Sequence, residues 1–128
     1  MHEINLPHVV EEVTAAVRRY EQALFDNDTA TLDALFWVSP HTLRFGITEQ
    51  LYGHKDISAF RSARRPGNLQ RQERRLVVTT FGTDFATANV EYALAENGRI
   101  GRMSHTWVRF PEGWRIAAAH VSNMQTPQ

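Results

Sequence analysis

Four side chains in this sequence sit where a fold must either satisfy them or use them. The last apolar stretch, Gly113 to Ser122, carries His120 and Ser122 among small and apolar neighbours. A covered strand does not tolerate an imidazole without a partner, so these groups are either structural or line a pocket. Arg44 lies between Leu43 and Phe45 in a short alternating segment, which places its guanidinium in partial shelter. A sheltered guanidinium needs an anion. The candidates are an internal carboxylate, Glu91 or Glu49, or a substrate carboxylate that the planar fork would grip at two points. Tyr20 falls on an apolar stripe, where spacing alone favours a core tyrosine whose hydroxyl finds a nearby acceptor. A phenol of ordinary pKa, about 10, is suited to donating a proton or hydrogen bond at neutral pH. A neighbouring guanidinium would lower that value and make it a base or nucleophile.

Other chemistries find less support. Ser104 is expected opposite His120, but no nucleophile-elbow sequence surrounds it and no acid is placed to orient the ring. A hydrogen-bonding or substrate-orienting histidine is the better reading, with Ser122 and Asn89 as weaker candidates of the same kind. The six histidines show no metal-ligand spacing, and without cysteines there is no thiolate site, disulfide or cysteine nucleophile. No cofactor is expected. Arg61, Arg64, Arg65, Arg71, Arg74 and Arg75 form a basic run. Its plain reading is a solvated face, although it could draw a doubly anionic substrate toward a cavity mouth.

The elements that position these groups follow from periodicity. Leu6, Val9, Val10, Val13, Ala16, Val17, Tyr20 and Leu24 recur at helical spacing, which predicts a helix from about Pro7 to Asn27. Thr29 or Thr31 is expected to cap a short second helix containing Leu32, Leu35 and Phe36. Thr42 to Phe45 alternates as a strand ended or bulged by Gly46, and Gly53 to Ile57 opens a third short helix. Residues 61 to 68 read as a loop. Four long strands follow, at about Glu73–Phe81, Phe85–Glu96, Ile100–Phe110 and Trp114–Ser122. Asn97-Gly98 signals a two-residue hairpin, and Pro111-Glu112-Gly113 a three-residue one. Helices first and an antiparallel sheet afterwards mean α+β. The 128 residues suit one domain, 1–128. Fourteen basic and fourteen acidic residues cancel, which gives a nucleic-acid or membrane-surface role no support. The first residues lack a signal-peptide pattern and no stretch reaches membrane-spanning length, so a cytoplasmic protein is expected.

Hairpin arithmetic sorts the strand residues by face. Plain turns set Ser104 opposite His120, Arg102 opposite Ser122, Glu91 beside Ser104 and Asn89 beside Thr106. One face then gathers Asn89, Glu91, Arg102, Ser104, Thr106, His120 and Ser122, flanked by Ile100, Val108, Phe110, Trp114 and Ile116. The mixture resembles a pocket lining. The other face collects Val90, Tyr92, Leu94, Met103, Trp107, Ala117, Ala119 and Val121. With three helices for one face, a sheet-to-sheet homodimer through this second face is expected.

The helix pair, strand, Gly53-x-x-x-Ile57-x-x-Phe60 helix and curved four-stranded sheet resemble the nuclear-transport-factor-2-like cone fold, also called cystatin-like or SnoaL-like. A narrower resemblance runs through Ile4-Asn5-Leu6-Pro7, Arg19-Tyr20-Glu21, Asn27-Asp28-Thr29, Leu35-Phe36-Trp37, Arg44-Phe45-Gly46, Thr48-Glu49-x-Leu51-Tyr52-Gly53, Asp84 to Asn89 and Thr106-Trp107-Val108-Arg109. Together these are similar to the AtzH-like family, whose relatives include the HpxZ-like proteins of oxalurate catabolism. The resemblance implies a cone-shaped roll, three helices on a curved sheet, that dimerises and takes part in ureide breakdown. It implies an amidohydrolase acting on 1,3-dicarboxyurea or an oxalurate-like ureide, with Tyr20 and Arg44 as the essential pair. On this reading Arg44 clamps a carboxylate, Tyr20 assists proton transfer at the scissile amide, and His120, Ser104, Asn89 and Ser122 bind substrate. Two rivals remain: a non-catalytic protein that partners a ureide-pathway amidase, and an isomerase using Glu91 as base.

Overall fold

The computed structural model describes residues 2–63 and 71–125. Its elements in chain order are α1 (Pro7–Asp26), α2 (Thr29–Leu35), β1 (Leu43–Phe45), β2 (Gln50–Tyr52), α3 (His54–Ala63), β3 (Arg71–Phe81), β4 (Phe85–Leu94), β5 (Ile100–Phe110) and β6 (Gly113–Asn123). The strands form one sheet in the order β2-β1-β6-β5-β4-β3. Every pairing is antiparallel except β1 with β6, which is parallel. The fold is α+β, three helices against one face of this sheet.

Helix α1 forms because its apolar residues return every three or four positions and so bury one stripe, Val9, Val13, Val17, Tyr20 and Leu24. Pro7 occupies the first helical turn, where its missing N–H costs nothing. Asn27 ends the helix in the left-handed conformation, φ 54°, with its N–H returned to the last turn. The cap of α2 is Asp28, whose carboxylate accepts from the Thr31 N–H, and not a threonine. Helix α1 is tied to the sheet at its start, where the Trp114 indole donates to Glu12 at 2.9 Å. Helix α3 is tied to α2 by Ser58 donating to Asp33 at 2.8 Å. Residues 61–63 continue α3, where a loop is expected from the sequence; the rest of that loop lies outside the described residues.

Two corrections concern the sheet. It has six strands rather than four plus a detached one, because β1 joins the edge of β6 and turns back through β2. Both hairpins also differ in length from the sequence expectation. Strand β4 stops at Leu94, so a five-residue connection replaces the two-residue turn and moves the β4–β5 register by two positions. Asn89 therefore faces Ser104, and Glu91 faces Arg102. A shift of two preserves the faces. The β5–β6 turn is one residue shorter than expected, pairing Phe110 with Gly113, and a bulge beside Thr106 and Trp107 restores Ser104 opposite His120. Upstream of that bulge the faces exchange. Trp114 and Ile116 consequently lie in the core beneath the helices instead of flanking the polar face.

The core itself sits between the helices and the face carrying Val90, Tyr92, Met103, Trp107, Ile116 and Ala119. This overturns the expectation that Ala119 and Val121 present a bare face for dimerisation. Ala119 is buried, and Val121 packs against the core. The helices cover the apolar face because it buries far more nonpolar surface. The uncovered face is the one with Asn89, Arg102, Ser104, Thr106 and His120.

Candidate active site

The sheet separates residues that sequence reasoning places in one pocket. Register puts Arg44 beside Ala119 and Phe45 beside His120. Arg44 therefore points with Ala119 toward the helices, and His120 points away. Tyr20 reaches the helix-covered face from α1. His120, Ser104, Asn89 and Ser122 stand together on the open face, one sheet thickness from Tyr20 and Arg44. They cannot touch the same small molecule.

On that open face the polar group is real but shallow. Ser104 donates to the Asn89 side chain at 2.6 Å, and the Arg102 Nε–H donates to Ser122 at 3.3 Å. His120 meets the Phe45 ring edge-on, with centroids 5.8 Å apart. Asn89, Ser104, His120 and Phe45, with Leu43 and Thr106, line an open hollow of about 320 Å³, and Arg102 and Ser122 lie outside its lining. Glu91, the base proposed for an isomerase, is half exposed on this face beside Arg74 at 3.7 Å.

The helix-covered face holds a different constellation. Tyr20 is 2% exposed and its ring meets His105 edge-on at 4.7 Å. His105 shares the parity of Met103 and Trp107 along β5 and is likewise buried. Burial, with the charges of Arg44, Arg71 and Arg61 acting in the same direction, brings its pKa down to about 3, so the ring is neutral at physiological pH. Arg44 is also buried, and one of its terminal nitrogens donates to Glu49 at 2.7 Å. Glu49 is the internal partner that the sequence left open against Glu91. Burial pushes the Glu49 pKa up, but hydrogen bonds from Arg44 and Thr48 outweigh it and hold the carboxyl below its ordinary range.

Local sequence explains this pairing. The segment after Arg44 turns back at once, so Glu49 arrives beside it from the β1–β2 turn. A Cβ on Gly46 would run into the Glu49 carboxylate, so a larger residue there would shift the carboxylate from its present place beside Arg44. A second glycine shapes the opposite wall. Gly101 faces Tyr92 in the sheet register, and a Cβ there would lie 2.2 Å from the Tyr92 ring. Tyr92 lies across that gap with the Arg71 guanidinium 4.2 Å over its ring. Burial raises the Tyr92 pKa, against the opposing influence of Arg71. Arg61 is buried from α3, over the Phe36 ring at 5.5 Å.

Tyr92 and Arg71 face outward into a pocket of about 790 Å³ at the open end of the roll, also lined by Arg18, Glu21, Phe25 and Glu73. Arg18 bridges this mouth from α1 to Glu73 on β3. The basic run expected from the sequence thus divides. Arg61 and Arg71 approach the interior, Arg74 and Arg75 lie on the exposed side, and Arg64 and Arg65 fall outside the described residues.

The interior can do three things chemically. It can hold an anion through guanidinium groups, donate a proton or hydrogen bond through a phenol, and offer a neutral imidazole. Sequence reasoning passes over His105 and Tyr92 as chemistry. The signal for His105 was its alternation with Met103 and Trp107, which assigns it to the apolar face. Among the described residues, no group of three or more His, Asp or Glu side chains is arranged to hold a metal, and no helix is long and apolar enough to cross a membrane.

Comparison with known proteins agrees with this architecture. A protein of unknown function from Pectobacterium atrosepticum is 50% identical, with 95% of each chain covered and a TM-score of 0.93. A cystatin-like fold protein from Burkholderia xenovorans is 44% identical over 99% of this chain and 100% of that one, again with a TM-score of 0.93. A nuclear-transport-factor-2-like superfamily protein from Salmonella enterica is 23% identical over 94% of each chain with a TM-score of 0.73, a likeness of fold alone. No curated protein matches. The AtzH-like family model matches residues 2–127. With the cone of helices on a curved sheet already described, the chain belongs to the AtzH-like family and has the cystatin-like, nuclear-transport-factor-2-like fold.

Proposed function

We propose that this protein is an amidohydrolase that cleaves a C–N bond of a small carboxylated ureide such as 1,3-dicarboxyurea or oxalurate. The observation that carries the reading is the convergence of Tyr20 and Arg44, from different elements, on one buried interior around a neutral His105. Arg44 binds a substrate carboxylate while Glu49 fixes the far side of its guanidinium. Tyr20 donates a proton to the departing nitrogen, which lets water complete the acyl carbon as a carboxylate. The net reaction adds one water across one amide bond, releasing an amine or ammonia and a carboxylic acid. His120, Ser104, Asn89 and Ser122 take no part in this step, since the sheet stands between them and Tyr20.

The uncovered sheet face supports a second element of the proposal, a homodimer through that face. It carries Leu43, Phe45, Val77, Phe85, Val108 and Phe110 among its polar residues, and no helix covers it.

Hydrolysis of dicarboxyurea, oxalurate and allophanate, followed as loss of substrate together with release of bicarbonate, urea or ammonia, tests the activity. Turnover of at least one supports the reading, and none with any of the three removes it. Ligand-dependent thermal stabilisation without turnover would instead assign a binding role beside a separate amidase.

A further inference from the structure

One register row crosses the helix-covered face as Val78, Ala88, His105, Ala119, Arg44 and Leu51, on β3, β4, β5, β6, β1 and β2. The two polar residues are separated by one alanine strand. Two strand spacings put their backbones roughly 10 Å apart. Ala119 between them and Ala88 beyond His105 are small buried residues of the same row. The Tyr20 ring packs edge-on against the imidazole.

Four buried nitrogens in this region have no hydrogen-bond partner among the described residues: Arg44 Nε, both ring nitrogens of His105, and Trp107 Nε1. The His105 and Trp107 rings are 5.7 Å apart. Buried polar groups in folded proteins are nearly always paired, and leaving one unpaired costs about 1–3 kcal/mol. Four such nitrogens together define a hydrogen-bonding chemistry. A neutral imidazole has one donor and one acceptor, whereas an indole and a guanidinium only donate. The cluster thus offers three donors and a single acceptor.

We propose that His105 is a specificity-determining residue whose neutral ring accepts a hydrogen bond from an amide N–H of the ligand, while its other nitrogen, Trp107 and Arg44 donate to the ligand's oxygens. This rests on the ureide reading above and narrows it to molecules with an N–H close to a carboxylate. A plain dicarboxylate satisfies the donors but sets its lone pairs against the imidazole acceptor. Burial and the charges of Arg44 from β1, Arg71 from β3 and Arg61 from α3 keep the ring neutral and able to accept, with the Tyr20 ring packed against it from α1. On this proposal the mouth pocket lined by Arg71 and Tyr92 is the way in for the ligand.

The test is calorimetric titration of the full chain with oxalurate, which has amide hydrogens, and with succinate, which has none. Where the wild type turns oxalurate over, KM is measured in place of affinity. Wild type is expected to bind oxalurate at least about tenfold tighter than succinate. His105→Phe keeps an aromatic ring beside Tyr20 but removes both nitrogens, and is expected to erase that preference by weakening oxalurate alone. His105→Gln, which keeps a donor and an acceptor, is expected to retain part of it and serves if the phenylalanine variant does not fold. Nitrogen-15 shifts of the His105 ring should move at both nitrogens on adding oxalurate, a response that a purely structural histidine lacks. Equal wild-type binding of the two ligands, no binding of either, unaltered preference in His105→Phe, or an unresponsive ring would each overturn the proposal. Oxalurate bound with this preference, with none of the three ureides hydrolysed, sinks the hydrolase reading and leaves this one standing. Hydrolysis with an unchanged KM in His105→Phe does the reverse.

Discussion

His105 carries a stability cost that its surroundings impose. In the unfolded chain its pKa returns to about 6.5, whereas in the folded protein burial, aided by three arginines, holds it near 3. The unfolded state therefore takes up a proton first. The stability contribution is intact above pH 6.5 and is lost progressively as pH falls toward 3. We expect urea midpoints to fall over that window in the wild type and to fall less in His105→Phe; parallel acid limbs in the two proteins would show that the ring is not buried as described. Tyr20 and Arg44 were legible in the sequence, but only jointly. Spacing placed Tyr20 in the core and the neighbours of Arg44 gave it shelter, while their pairing came from family resemblance. His105 was hidden for a physical reason. An apolar strand face with a histidine on it looks like a packing face until the three-dimensional neighbours reveal that its nitrogens have nothing to bond.

At the level of elements, two glycines hold the walls of the interior. Gly46 clears the path by which Glu49 reaches Arg44, so Gly46→Ala must displace the carboxylate. We expect a loss of about 1–3 kcal/mol, typical of overpacking, together with weaker carboxylate binding. Chemical denaturation and ligand titration on the same variant measure both. Gly101→Ala pushes on the Tyr92 ring and through it on Arg71 at the mouth, and is expected to destabilise by a similar amount. A Gly101→Ala protein as stable as wild type would mean that the ring has room to move aside. The elements themselves were mostly readable, since α1, β5 and β6 lie within a residue or so of their periodicity-based bounds. The faces of β4 and the far half of β6 were readable too, because a register shift of two conserves parity. What periodicity could not supply was the bulge near Thr106, which returns Trp114 and Ile116 to the core. Nor could three-residue strands such as β2 announce themselves, having too few residues to show a period.

Across the whole molecule the decisive question was which sheet face the helices would take. Sequence parity separated the two faces along β4, β5 and the end of β6, failed for Trp114 and Ile116, and assigned the helices' place to neither face. The helices' apolar stripes seek the face with Met103, Trp107 and Ala119, which brings Tyr20, His105 and Arg44 to the covered side. The polar hollow at Ser104 and His120 is left on the outside, where a second copy would meet it. Light scattering is expected to give twice the mass of one chain, and Phe45→Asp or Val108→Asp on the open face to give one chain's mass; a monomeric wild type would remove the dimer. The same division of faces supplies the most direct test of the whole account, ureide hydrolysis by Tyr20→Phe beside His120→Ala. Loss of the phenol proton is expected to lower kcat by about 10²–10⁴-fold, while His120→Ala, across the sheet, stays within a few-fold of wild type. Activity that survives Tyr20→Phe and disappears in His120→Ala would place the chemistry on the open face and contradict the site described.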